Sequence, residues 1–265
     1  ADMVQRAVSV ARREELAKMM LKSEYLDKAA ANRLWAHFLG YGFTKPIDDL
    51  GPHNASSHPA LLEYLGQEFR KSNYNLKELT RWIVLSQAYG LSSRFSANNK
   101  VDDPQLGESP KFSHFYLRQM RAEELFESLI VATEAQKTSG GYEEQEKAKT
   151  EWLRQFVIAF GTDEGDEATT FNGTIPQALM MFNGDLVKKA TSSDKGSFLW
   201  KVANDASKPN EKVEYLFLAA VGRKPSREEV GATSVLYRAH KGDMMATLQD
   251  MWWAVLNSNE FIFNH

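Results

Sequence analysis

His37, Asp48, Asp49, His53 and His58 fall within 22 residues of the chain. Imidazole and carboxylate are the ligand types that zinc or a non-haem metal takes. The spacing, however, offers no two histidines at i and i+4 and no His-x-x-Glu-His on a helix. A structural reading therefore stands ahead of a metal site. Asp48 or Asp49 accepts from Arg33 or from backbone N–H groups, and His58 belongs to the start of the next helix. One buried Arg–carboxylate pair accounts for the motif without chemistry. The candidate motif consists of Asn32, Arg33, Trp35, His37, Asp48, Asp49, His53 and His58. It names no catalytic residue and predicts no bound metal.

Other chemistries lack their residues. The chain has no cysteine, which removes disulfides, thiolate metal sites and a cysteine nucleophile. No Gly-x-Ser-x-Gly elbow or Gly-rich phosphate loop occurs. Asp163, Glu164, Asp166 and Glu167 lie in an acidic loop at 161–173 without the alternating oxygen ligands of a calcium loop. His114, His240 and His265 stand alone in sequence and read as surface residues. Trp35, Trp82, Trp252 and Trp253 could stack on sugars, but their helical spacing with apolar neighbours reads as core. No cofactor is expected.

The elements that must position these residues are helices. From 24 to 39, Leu26, Ala30, Leu34 and Phe38 recur every fourth residue, with Ser23 as N-cap and Gly40 and Gly42 beyond the end. Pro59 opens a second helix, with Leu61, Leu62, Leu65 and Phe69 inward. Asn75 caps a third, whose apolar face takes Leu76, Leu79, Trp82, Ile83 and Leu85. From 90 to 113 the periodicity dissolves into Ser, Asn, Asp, Pro and Gly, the mark of a functional or wrapping loop. Helical spacing returns at 122–134 and 143–160. Farther on, Val213, Leu216, Phe217, Ala220 and Val221 share a face, Ser226 and Glu229 form a capping box, and Met244, Leu248, Met251, Trp252 and Val255 line a last helix. Strand signals are nearly absent.

The expected fold is all-α, an irregular multi-helix array in two helical subdomains. The first covers 1–135 with the Asn32–His58 motif, the second 148–265, and a linker near 136–147 joins them. Apolar residues at 43 % and charged ones at 25 % suit a globular chain rather than a disordered one. A net charge of −3 gives no reason to invoke nucleic acid, and no apolar run reaches the ~18–20 residues of a transmembrane span. A chain opening Ala1-Asp2 suits a mature form cleaved after small residues.

Several blocks resemble one family. They are Asn32-Arg33-Leu34-Trp35-Ala36-His37-Phe38-Leu39-Gly40, Pro46-Ile47-Asp48-Asp49-Leu50-Gly51 and Ser57-His58-Pro59-Ala60-Leu61-Leu62. Leu79-Thr80-Arg81-Trp82, Pro176-Gln177-Ala178-Leu179, Gly222-Arg223-Lys224-Pro225 and Asn257-Ser258-Asn259-Glu260-Phe261 extend the likeness. Together they resemble a planctomycete-specific C-terminal domain of unknown function, found in extracytoplasmic proteins together with cytochrome-c-like modules. The resemblance implies an extracytoplasmic location, periplasmic or at the cell surface. It also implies a protein partner or upstream domains, cytochrome-c-like among them, and a link to surface polysaccharide handling. The family brings no catalytic residues. The leading expectation is a helical scaffold or interaction domain of an extracytoplasmic complex. The alternative is a metal- or carboxylate-dependent enzyme acting on a polysaccharide, built around Asn32–His58.

Overall fold

Ala31, Trp35 and Leu39 are buried on one side of the helix Leu26–Leu39, and Asp27 and Asn32 are buried with them. The expected stripe of Leu26, Ala30, Leu34 and Phe38 is only half-buried. The true inward face lies one residue farther along. Two polar residues interrupt it, which hides it from an apolar count.

The computed structural model describes residues 12–160 and 175–264. The acidic loop at 161–173 and His265 lie outside the described residues. Of those described, 63 % are helical, so the expected all-α array is the fold found. The chain divides into two compact units, 1–116 and 117–265. The segment expected as a linker, 136–147, falls inside the second unit, where it forms a 3-10 turn (Ala135–Thr138) and the start of a long helix.

In the first unit the helices are α1 (Arg12–Lys22), α2 (Leu26–Leu39), α3 (Pro59–Lys71) and α4 (Leu76–Val84). The side chain of Tyr25, the residue before α2, does not cap that helix, and Ser23 Oγ accepts from Tyr25 N at 3.2 Å. Asn75 does cap α4, accepting from the N–H groups of Lys77 and Glu78. Leu79 and Ile83 of α4 are fully buried, whereas Leu76 and Leu85 are exposed. Helices α2 and α3 approach closely at Gly66, where a Cβ would sit 3.3 Å from the backbone nitrogen of Lys28. Beside that contact Arg70 Nε donates to buried Asp27 Oδ2 at 2.9 Å, and Arg70 Nη2 donates to Ser23 O at 2.8 Å. The core gathers Ala31, Trp35, Phe43, Leu62, Phe69, Leu79, Ile83 and Phe115.

The second unit runs α5 (Ala122–Thr133), α6 (Tyr142–Phe160), α7 (Ile175–Asn183), α8 (Asp185–Ala190), α9 (Phe198–Asn204), α10 (Pro209–Val221), α11 (Arg227–Ala239), α12 (Met244–Leu256) and α13 (Asn259–Ile262). A short antiparallel pair, β1 (Arg118–Gln119) with β2 (Phe263–Asn264), sets Arg118 opposite Asn264 and ties the first strand of the unit to its last. Helix α12 is central. Leu248, Trp252 and Leu256 are fully buried on it, and Trp252 Nε1 donates to Ala190 O at 3.1 Å. The expected capping box is present, with Ser226 Oγ accepting from Glu229 N and Glu229 Oε2 accepting from Ser226 N. Among the described residues no helix is long and apolar enough to cross a membrane.

Candidate functional site

Asn32 is wholly buried on α2, and its amide fastens the loop that leaves that helix. Its Nδ2 donates to Thr44 Oγ1 at 2.8 Å and to Ile47 O at 2.7 Å, and its Oδ1 accepts from Phe43 N at 2.6 Å. An amide side chain supplies two donors and an acceptor at one point, which this turn requires. Gly42 is the residue that admits it, because a Cβ there would stand 2.9 Å from Asn32 Oδ1 and 3.3 Å from Ile47 Cγ1.

Arg33, the next residue on the helix, points to the outer side of the same loop. It grips Asp48 through two parallel bonds, Nε to Oδ1 at 2.7 Å and Nη2 to Oδ2 at 2.6 Å. The expected pairing is thus with Asp48, but the expected burial is wrong, since the two side chains are 60 % and 55 % exposed. The hydrogen-bonded guanidinium holds the Asp48 carboxyl below its ordinary range, against the weaker opposing effect of partial burial. Asp49 turns the other way. Its Oδ1 accepts from Gly51 N at 3.1 Å and its Oδ2 lies 2.8 Å from His53 Nε2. The Gly51 N–H, and then His53, lower the Asp49 carboxyl in turn. Asn54 closes the loop by donating to Lys45 O and Asp49 O.

The remaining motif residues separate. Trp35 is buried in the core with its ring 4.7 Å from that of Phe43. His37 lies edge-on to the ring of Phe38 on another side of α2. His58 precedes α3, with Nδ1 3.0 Å from Ser57 Oγ. The structure therefore joins Arg33 to Asp48 and Asp49 to His53, and sets His37 against Phe38 and His58 beside Ser57. Among the described residues no three His, Asp or Glu side chains are placed to hold a metal ion.

A second cluster, which sequence reasoning missed, organises the long segment after α4. Asp102 is 1 % exposed and accepts four hydrogen bonds. Lys111 N at 2.9 Å and Tyr116 Oη at 2.6 Å meet Oδ1, and Ser113 N at 2.8 Å and Ser113 Oγ at 2.6 Å meet Oδ2. Burial alone would raise this carboxyl, but the donors outweigh it and hold it below the ordinary range. Burial and the bond to Asp102 push the Tyr116 phenol upward. Tyr116 Oη also accepts from the N–H groups of Lys111 and Phe112. The stretch is a fixed wrap around one carboxylate. His114, expected on the surface, is buried against Phe95 and Tyr116, with Nδ1 3.6 Å from Asp102 Oδ2. His240 is half-buried and pairs with Asp250 at 2.7 Å.

Phe112 joins the two clusters. Its backbone lies in the left-handed region, φ 53°, a costly conformation for a bulky residue. The turn delivers its ring to Trp35 at 5.3 Å, His58 at 5.5 Å, Phe43 at 5.9 Å and Tyr116 at 5.6 Å. Trp35 Nε1 and Ser56 Oγ are buried without a hydrogen-bond partner among the described residues. Taken together, the motif is an aromatic box closed by two loops, with the carboxylates of Asp48 and Asp49 committed to neighbours. Its chemistry is that of a loop clasp.

Of the four tryptophans weighed for sugar stacking, Trp35 and Trp252 are buried and Trp82 is half-buried, whereas Trp253 is exposed beside Phe182 at 5.6 Å between ring centres. In the second unit Arg223 is clamped between two carboxylates. Nη2 reaches Glu229 Oε1 at 2.8 Å and Glu260 Oε2 at 2.6 Å, above the ring of Phe217. That contact accounts for the Gly222-Arg223-Lys224-Pro225 block as a structural one.

These features define a helical domain whose most specific sequence motif fixes loops. Residues 12–156, more than half of the chain, match the model of the family described as PSD1, protein of unknown function (DUF1553), and the chain belongs to that family. The Asn32–His58 motif and the Asp102 cluster lie inside the matched span, and the blocks after 175 lie beyond it. No curated protein and no solved structure matches the chain.

Proposed function

We propose that this chain is a helical scaffold that docks another polypeptide through α1. One observation carries the reading: none of the eleven residues of α1 is buried. Leu16, Met19 and Met20 lie at i, i+3 and i+4 on it and are all exposed. An isolated helix shorter than about 12–15 residues is marginal in water, and helices in proteins draw their stability from a packed apolar face. A helix none of whose described residues is buried gains that stability from a partner. Methionine suits such a face because its unbranched side chain adapts to the surface it meets.

The commitment of Asp48 to Arg33 and of Asp49 to Gly51 and His53 supports a scaffold over the polysaccharide-acting enzyme. The family resemblance supports an extracytoplasmic setting near surface polysaccharide, with an upstream or partner module, cytochrome-c-like among the choices, as the docked body.

Lys18 and Lys22 make α1 reactive to amine cross-linkers. Cross-linking in native extract, read by mass spectrometry, should tie these lysines to a second polypeptide or to another part of a longer one. Leu16→Glu with Met19→Glu should abolish those links. Links confined to residues of this chain, with both variants behaving as wild type, overturn the reading.

A further inference from the structure

The chain has nine methionines and no cysteine, so every oxidisable sulfur in it is a thioether. Met3 lies outside the described residues. Six of the others belong to the second unit. Met181 and Met251 are 4 % and 6 % exposed in its core, and Met120, Met180, Met244 and Met245 pack half-buried against that core. The remaining two sit on α1, where Met19 is 69 % and Met20 51 % exposed. Among the described residues they are the only exposed methionines.

Exposure decides which thioether meets an oxidant, because sulfur reacts only where the reagent reaches its lone pairs. A cysteine thiolate would compete for the oxidant, and the chain has none. An oxidant that meets this chain therefore acts first on α1. With Leu16, the same two side chains make up the exposed apolar face of that helix.

We infer that Met19 and Met20 form a reversible oxidation site that switches off docking through α1, which rests on the docking role proposed above. The oxidant is a hydroperoxide. A thioether lone pair attacks the outer peroxide oxygen, a sulfur–oxygen bond forms and the oxygen–oxygen bond breaks. Sulfur is oxidised by two electrons to the sulfoxide. The peroxide is reduced to an alcohol or water, and the proton of the transferred oxygen passes to the leaving one. Each product side chain is polar where it was apolar. A partner shaped for thioethers buries both new oxygens without donors to meet them. Reversal takes a dithiol sulfoxide reductase, which releases the oxygen as water while its two thiols become a disulfide. Docking in turn covers both methionines and spares them.

The test treats the purified full chain with hydrogen peroxide and follows each methionine by peptide mass mapping. Met19 and Met20 should become sulfoxides first, and Met181 and Met251 last. Untreated, oxidised and re-reduced chain are then added to native extract and cross-linked through Lys18 and Lys22. Re-reduction uses methionine sulfoxide reductases with a dithiol. Links beyond this chain should fall about tenfold or more on oxidation, since burying one unpaired polar group shifts an equilibrium by about that factor. They should return on re-reduction. Met19→Leu with Met20→Leu carries no sulfur at these positions, so peroxide should leave its links at their untreated level. Equal oxidation of buried and exposed methionines, unchanged links after oxidation, or the same loss in the leucine variant overturns the inference and leaves docking in place. No links from untreated wild type overturns docking, and this inference with it.

Discussion

Arg33 and Asp48 meet edge to edge, Nε to Oδ1 at 2.7 Å and Nη2 to Oδ2 at 2.6 Å, with both side chains more than half exposed. The geometry is that of a strong bidentate pair, but its surroundings are water. Exposed pairs are typically worth about 0.2–1 kcal/mol, because solvent and salt screen them and two long side chains must be held still. Arg33→Ala should therefore lower the melting temperature by no more than about 2–4 °C. A double-mutant cycle with Asp48→Ala should give a coupling below about 1 kcal/mol that shrinks in salt. A coupling of several kcal/mol would show that the pair is desolvated in the working protein, as beneath a docked partner.

Asn32 should matter far more than its charged neighbour. Removing its amide leaves Phe43 N without its partner and Ile47 O with Thr44 Oγ1 alone, and a buried orphan costs about 1–3 kcal/mol. Asn32→Ala should thus cost about 2 kcal/mol or more. Asn32→Asp should be no better, since a carboxylate offers Ile47 O and Thr44 no donor. Chemical denaturation of both variants beside Arg33→Ala checks the ranking. Equal losses at positions 32 and 33 would contradict it.

Asp102 gives the same argument a local readout. Asparagine has the same shape but places an amino group where two donors already point, so one pair of hydrogen bonds becomes a repulsion. Asp102→Asn should release the wrap from 90 to 113 and bring rapid proteolytic cleavage there, with the second unit still resistant. Cleavage at the wild-type rate would show that the wrap is held by Phe112 and Phe115 instead.

What could be read in the sequence was what lies close along the chain. Asn75 and the Ser226–Glu229 box bond across two or three residues, so spacing alone announces them. That Arg33 meets a carboxylate at 48 or 49 was legible because one helix and one loop hold all three, whereas the choice of Asp48 was not. The inward face of α2 was not, because Asp27 and Asn32 sit in it, and what buries them is Arg70, 43 residues away, and a loop turning back. Asp102 was hidden for a related reason. Its donors at 111, 113 and 116 follow no helical or strand period, and a stretch rich in Ser, Asn and Asp reads as solvated. Burial of the Arg33 pair was misjudged because pairing leaves a trace in residue type, whereas depth depends on what packs over it.

Glu229 supplies the clearest dependence on pH. Its two oxygens accept from Arg223, Nη1 to Oε2 at 2.9 Å and Nη2 to Oε1 at 2.8 Å, and Oε2 also accepts from Ser226 N. Arg223 is the first cause that brings this carboxyl down from 4.5 to about 2, overcoming the upward push of burial. A carboxyl lowered on folding adds stability that is complete above its unfolded value. That stability is lost as pH falls through the folded one. The window here therefore runs from about 4.5 down to about 2. The full shift would correspond to roughly 3 kcal/mol. Partial exposure screens the pair, so about 2 kcal/mol is the expected contribution. Glu229→Gln should be less stable than wild type at pH 7 by about that amount. The two unfolding curves should converge as the pH is lowered through the window, because wild type then carries a neutral side chain as well. Chemical denaturation of both proteins at several pH values decides it. A gap that stays constant down to pH 2 would mean that Glu229 acts through its shape and its cap on α11, and that the charge opposite Arg223 is carried by Glu260.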